Sequence, residues 1–175
     1  MSLSPGKSDD FRSSEFQENL DILRQTYLFS ALPLQSLKVF AYVCAREKFR
    51  AGDHLFVQDE DDGQAFFIIA GRAALECRSS HGATTIREYG EGDFLGGIAL
   101  LGSFPRIFSL RALTEMVCLV LQRDKFVSAL QQFPELTPKI VKAVVESVAA
   151  WEQRGLSDHV DQCELCKNNV GVSII

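Results

Sequence analysis

Six short strand-like runs, at 54–58, 66–70, 73–78, 84–89, 108–113 and 116–121, fill the middle of this chain, and all but 73–78 contain β-branched or aromatic residues. Turn-forming clusters separate them: Ala51-Gly52-Asp53, Asp61-Asp62-Gly63, Ser79-Ser80-His81-Gly82 and Gly90-Glu91-Gly92-Asp93. Strands of this length bury too little surface alone. At this rhythm they must stack as two sheets or close on themselves, which predicts a β-sandwich or barrel.

Helical periodicity takes over at both ends. Ser14-x-x-Gln17 has the form of a capping box, and Phe16, Leu20 and Leu23 follow on one face, predicting a helix from Ser14 to about Gln25. A second helix follows Pro33, with Leu34, Leu37, Ala41 and Cys44 on one side. Thr137-Pro138 reads as a hydroxyl N-cap before a first-turn proline, and Gly155 as a stop, so a long helix is expected over 138–154. Ile140, Val144, Val148 and Trp151 stripe it. The expected organisation is a flexible N-terminus at 1–13, one domain at 14–155 and a cysteine-containing tail at 156–175.

With 175 residues, 46% of them hydrophobic, the chain has enough apolar side chains for one sizeable core. A net charge of −5 argues against a surface that neutralises a nucleic-acid backbone. Neither an apolar run of membrane-spanning length nor a signal-peptide core is present in the sequence, so a cytoplasmic protein with no membrane partner is expected. The five cysteines are an odd number, in keeping with a reducing compartment. Cys44 and Cys118 lie in apolar runs and read as small core hydrophobes.

The segment with the most chemistry is Gly92-Asp93-Phe94-Leu95-Gly96-Gly97-Ile98-Ala99-Leu100-Leu101, followed by Pro105-Arg106. Glycines opening a short apolar turn leave backbone N–H groups free at a helix start, where peptide dipoles favour an anion. Arg106 adds a planar fork suited to phosphate oxygens. In spacing and wording the segment resembles the phosphate-binding cassette of the cyclic-nucleotide-binding domains. Leu28-Phe29-Ser30-Ala31-Leu32, Phe49-Arg50-Ala51-Gly52-Asp53, Phe66-Phe67-Ile68-Ile69-Ala70-Gly71-Arg72 and Val117-Cys118-Leu119-Val120-Leu121 are similar to further pieces of that family, in its order.

The resemblance implies a mainly β fold, a jelly-roll β-barrel (double-stranded β-helix) with N-terminal helices and a C-terminal helix. It implies a ligand site at Gly96, Gly97, Ile98, Ala99, Leu100, Arg106, Ile107 and Ser109. The expected ligand is a cyclic nucleotide, cAMP or cGMP, or another small anion. It further implies a homodimer through the 138–154 helix. About 20 residues follow Gly155, too few for a helix-turn-helix, so direct DNA binding is not expected.

The departures from the family pattern matter as much. Gly97 stands where the family has a glutamate for the ribose 2′-hydroxyl, and Ile107 and Phe108 stand where it has small or hydroxyl residues. Asp59 and Asp62 replace turn glycines. Two readings stay open: a regulatory module that binds its ligand weakly and signals through the C-terminal helix, or a ligandless dimerisation scaffold whose cavity Ile107 and Phe108 fill. In the second, Arg106 is an ordinary surface arginine or pairs with Glu91 or Asp93.

The remaining motifs point to little chemistry. His159, Cys163 and Cys166, with Asp161 between them, are weak metal or redox ligands one short of a tetrahedral set. The acidic run Asp59-Glu60-Asp61-Asp62-Gly63 fails calcium-loop spacing and reads as a solvated hairpin turn. His54, His81 and His159 are far apart, and no nucleophile has a base nearby in sequence, so no enzyme activity is expected.

Overall fold

The computed structural model describes residues 7–79 and 82–159. Two helices, α1 (Lys7–Gln25) and α2 (Leu34–Val43), lead into eight strands. These are β1 (Ala45–Phe49), β2 (His54–Phe56), β3 (Gln64–Ala70), β4 (Ala73–Ser79), β5 (Gly82–Tyr89), β6 (Phe94–Leu95), β7 (Ser109–Ala112) and β8 (Met116–Gln122). Helices α3 (Arg123–Gln131) and α4 (Thr137–His159) close the described chain. The strands form two antiparallel four-stranded sheets, ordered β1-β8-β3-β6 and β2-β7-β4-β5. This is the expected jelly-roll arrangement of strands with flanking helices, but as two facing sheets rather than a closed barrel.

The two-residue period of the central strands divides the interior. On β3, Ala65 and Phe67 turn toward the helices while Phe66 and Ile68 turn between the sheets. On β8, Leu119 and Leu121 join the first set, and Met116, Cys118 and Val120 the second. Both strands are covered on two faces, which is why they read as continuous apolar runs. Over the helical side, Phe29, Phe40 and Phe126 pack ring against ring at 5.1–6.2 Å between centroids. Such pairs contribute about 0.5–1.5 kcal/mol beyond the area they bury. Gly71, between β3 and β4, has φ +95°, and a Cβ there would sit 2.7 Å from Met116 Cγ. Only glycine allows the chain to turn so close to β8.

Four local expectations need correction. Helix α1 begins at Lys7, so Ser14 is inside it; the Ser14 hydroxyl lies 3.4 Å from Glu18 Oε1, one turn on, and caps nothing. Thr137 has helical φ and ψ of −51° and −47°, because the 3-10 turn Pro134–Leu136 already delivers the chain in helical geometry. Helix α4 runs through Gly155 to His159, since one glycine costs a helix only about 1 kcal/mol. Strand β1 was hidden by its charge: three of its five residues are Arg46, Glu47 and Lys48, yet it pairs with β8 along its whole length. Arg46 also ties α1 to this strand, donating to Asn19 Oδ1 at 3.0 Å and Glu18 Oε2 at 2.8 Å.

The α4 stripe divides as its spacing suggests. Ile140 is fully buried and Val144 packs on the core, whereas Val141 and Val145 are 50% and 60% exposed. The side chain of Trp151 lies outside the described set. Among the described residues no helix is long and apolar enough to cross a membrane.

Candidate functional site

The cassette folds as the short strand β6, a left-handed Gly96 at φ +79°, and a 3-10 turn Gly97–Leu100. Position 96 demands glycine twice over. Its φ is one that side-chain-bearing residues rarely adopt, and a Cβ would lie 2.7 Å from Gln64 O and 2.9 Å from Arg106 Nη1. The first intrahelical donors, Ala99 N to Gly96 O and Leu101 N to Ile98 O, leave the amides of Gly97 and Ile98 at the start of the turn, where Gly97 is buried and Ile98 exposed.

Arg106 is 7% exposed and faces inward. Its Nε donates to Asp62 Oδ1 at 2.7 Å, its Nη2 donates to Gln64 O at 2.5 Å, and its guanidinium lies 4.2 Å from the centroid of the Phe56 ring. The backbone repeats the attachment: Arg106 N donates to Glu60 O and Asp59 N to Arg106 O, each at 2.8 Å. Asp59 holds φ +70°, the left-handed geometry for which a turn glycine would be chosen. Asp62 Oδ2 is buried without a hydrogen-bond partner.

The acidic run is therefore more than a solvated hairpin: Asp59, Glu60 and Asp61 are exposed as expected, but Asp61 and Asp62 also clamp two arginines. Asp62 holds Arg106, and Asp61 forms a forked pair with Arg123, joined by the Ser103 hydroxyl. Arg123 Nε in turn donates to Ala99 O at 2.6 Å, fixing the end of the cassette. The Arg123 hydrogen bonds hold the Asp61 carboxyl at about 2, below the usual carboxylate range. Neither Glu91 nor Asp93 serves Arg106; Asp93 Oδ2 accepts from Gly90 N at 2.8 Å within its own turn.

Between the sheet and α4 lies a cavity of about 480 Å³. Of the eight residues expected at the site, Gly96, Gly97, Ile98, Ala99, Arg106 and Ile107 border it. Leu100 is fully buried in the core behind the cassette, and Ser109 turns away to accept from Gln58 N at 2.9 Å. Ile107 is 62% exposed at the rim, while Phe108 lies along the wall without filling the space. Phe56, Tyr89, Phe94 and Phe104 give the cavity an aromatic wall, and Ser147 and Val148 bring α4 to its mouth. Among the described residues Arg106 is the only cation in this lining, and no carboxylate side chain borders it.

Sequence reasoning missed Tyr27, in the connection between α1 and α2. Its hydroxyl reaches over Gly97, Ser147 lines the same cavity, and its ring meets Phe94 edge-on at 5.6 Å. Burial raises its pKa, and the Ser147 side chain opposes that shift. The only sequence signal was the glycine at 97 itself, a missing side chain whose space another segment takes. Cys118 is buried and Cys44 packs on the core, and burial pushes both thiols up to about 12, as suits inert packing residues. Cys163, Cys166 and Asp161 lie outside the described residues, as does the side chain of His159. Among the described residues no group of three potential metal ligands comes together.

The geometry agrees with what the chain is similar to. A cAMP-dependent protein kinase regulatory subunit from Emericella nidulans is 35% identical over 79 residues, covering 45% of this chain and 19% of that protein. A structure of a cyclic nucleotide-binding-like protein from Brucella abortus has 28% identity and a TM-score of 0.61, covering 65% of this chain and 98% of the other. A cyclic nucleotide-binding domain from Methylobacillus flagellatus superposes with a TM-score of 0.70 at 18% identity, over 92% and 89% of the two chains. The chain spans less than two fifths of the length of the curated relatives it matches. The family model for the cyclic nucleotide-binding domain matches residues 46–133, half of the sequence and all eight strands but the first residue of β1. This chain belongs to the cyclic nucleotide-binding domain family.

Proposed function

We propose that the cavity beside Arg106 binds a cyclic nucleotide, or a small anion of similar build, and that the module acts in regulation and not in catalysis. The carrying observation is a buried guanidinium facing an open, aromatic-walled cavity of about 480 Å³. That volume is in the range of small-molecule pockets. The cassette amides and Arg106 take the negative group, and the aromatic wall takes the base. Affinity is weak because position 97 offers no carboxylate: a charge-assisted hydrogen bond is worth about 1.5–3 kcal/mol, a factor of about ten to a hundred. Asp62 already offsets the charge of Arg106, so a monoanion such as a cyclic phosphodiester suits the site better than a dianion.

The signal passes to α4, whose Ser147 and Val148 border the cavity, as a shift between two helix positions that the ligand distinguishes. The outward edge at Val141 and Val145 supports dimerisation through the same helix. The scaffold alternative has less support, since Ile107 points outward and Phe108 leaves the cavity open.

Thermal melts with cAMP and cGMP test the proposal. A ligand at a hundredfold excess over its dissociation constant stabilises by about 2.7 kcal/mol. For a chain of this size that raises Tm by about 5–10 °C, and Arg106→Ala should abolish the shift. Flat melts at millimolar nucleotide, or an equal shift in Arg106→Ala, reject it.

A further inference from the structure

Position 97 lacks a side chain for a reason found on another segment. The backbone there does not require glycine, since Gly97 is outside the left-handed region. A Cβ would instead fall well under 3.0 Å from the Tyr27 hydroxyl oxygen and 3.3 Å from its Cζ. The phenol thus stands in the volume through which any side chain at 97 would enter the cavity. Phe94 packs edge-on against its ring, and Ser147 lines the same cavity. At this corner the cavity presents a neutral hydroxyl, not an anionic acceptor.

Resting on the cyclic-nucleotide reading above, we propose that Tyr27 is the specificity residue of this cavity: it occupies the corner where a side chain at 97 would read the sugar, so cyclic mononucleotides bind without needing a 2′-hydroxyl. A carboxylate at that corner accepts from the sugar hydroxyl and favours the ribonucleotide by about tenfold to a hundredfold. A neutral phenol supplies a small part of that, and among the described residues no acidic side chain lines the cavity to replace it. The ligand class selected is a monoanion with an aromatic body and a sugar that is either ribose or deoxyribose.

The test is calorimetric titration of the full chain with 3′,5′-cyclic AMP and its 2′-deoxy analogue. The wild type is expected to bind the two within about fivefold of each other, the worth of a neutral hydrogen bond at most. Gly97→Glu alone should not restore discrimination, because Tyr27 still fills the corner. Tyr27→Ala combined with Gly97→Glu should restore it to about tenfold or more. A wild type that prefers the ribonucleotide by more than fivefold, restored discrimination in Gly97→Glu alone, or none in a folded double variant each overturns the role of Tyr27 and leaves nucleotide binding intact. If neither nucleotide binds the wild type, the reading of the site fails and this inference falls with it. The wild-type ratio decides by itself should the double variant not fold.

Discussion

Replacing Gly97 by alanine tests the contact between two segments 70 positions apart. At a residue outside the left-handed region, glycine to alanine normally stabilises by about 0.4–1 kcal/mol through the unfolded chain. Here the added methyl meets the Tyr27 hydroxyl, and the phenol must tilt within its corner. That tilt disturbs the ring packed on Phe94, within the 1–3 kcal/mol typical of overpacking. The net expectation is destabilisation of about 1 kcal/mol, a Tm lower by about 2–4 °C. In a Tyr27→Phe background the hydroxyl is gone, and the nearest remaining contacts are Phe94 Cε1 at 3.1 Å and the ring carbon at 3.3 Å, which yield by a few tenths of an ångström. There the alanine should be neutral or slightly stabilising. Urea unfolding of the four proteins, without nucleotide, gives the cycle. A coupling below about 0.3 kcal/mol, the level of ordinary additivity, refutes the contact.

Asp62→Ala leaves the guanidinium of Arg106 buried without its carboxylate, which should cost about 3 kcal/mol and lower Tm by about 6–12 °C; Asp62→Asn, which keeps an acceptor, should cost clearly less in the same melt. The Asp61 carboxyl titrates at about 2 in the folded protein against about 3.9 unfolded, so its pairing with Arg123 contributes above about pH 4 and is lost as pH falls toward 2. Asp61→Asn should therefore flatten the stability profile in that window, and an unchanged acid limb would count against the clamp. Cys44 and Cys118, with thiols near 12, should stay unmodified when the native protein is treated with iodoacetamide at pH 8, as peptide mass spectrometry would show.

Much of the fold was legible along the chain. The apolar positions of β3 and β8 and the Leu37 and Ala41 positions of α2 are short-range patterns, set by a period of two or 3.6 residues, and the turn clusters between strands are local too, whereas Leu34, expected on the same face of α2, is 42% exposed. The cassette was legible for the same reason: Gly96, Gly97 and Arg106 lie within eleven residues. Strand β1 was not, because its charged side chains obscure a strand whose place is set by pairing with β8, some 70 residues on. Helix limits failed where the signals were real but outvoted, with Ser14 inside a helix and Gly155 crossed by one.

By itself the sequence determined a mainly β domain with flanking helices and a glycine-led turn followed closely by Arg106, since both follow from local periodicity and from residues near one another. That the strands form two facing sheets and not a closed barrel was left to the tertiary structure. Only the tertiary structure decided what Arg106 and Gly97 do. Sheet register brings Asp62 to the arginine from 44 positions away, and the packing of α1, α2 and α4 sets Tyr27 and Ser147 over the glycine. Such partners leave no periodic trace, because a hydrogen bond or a steric exclusion depends on where two atoms end up in space and not on how many residues separate them.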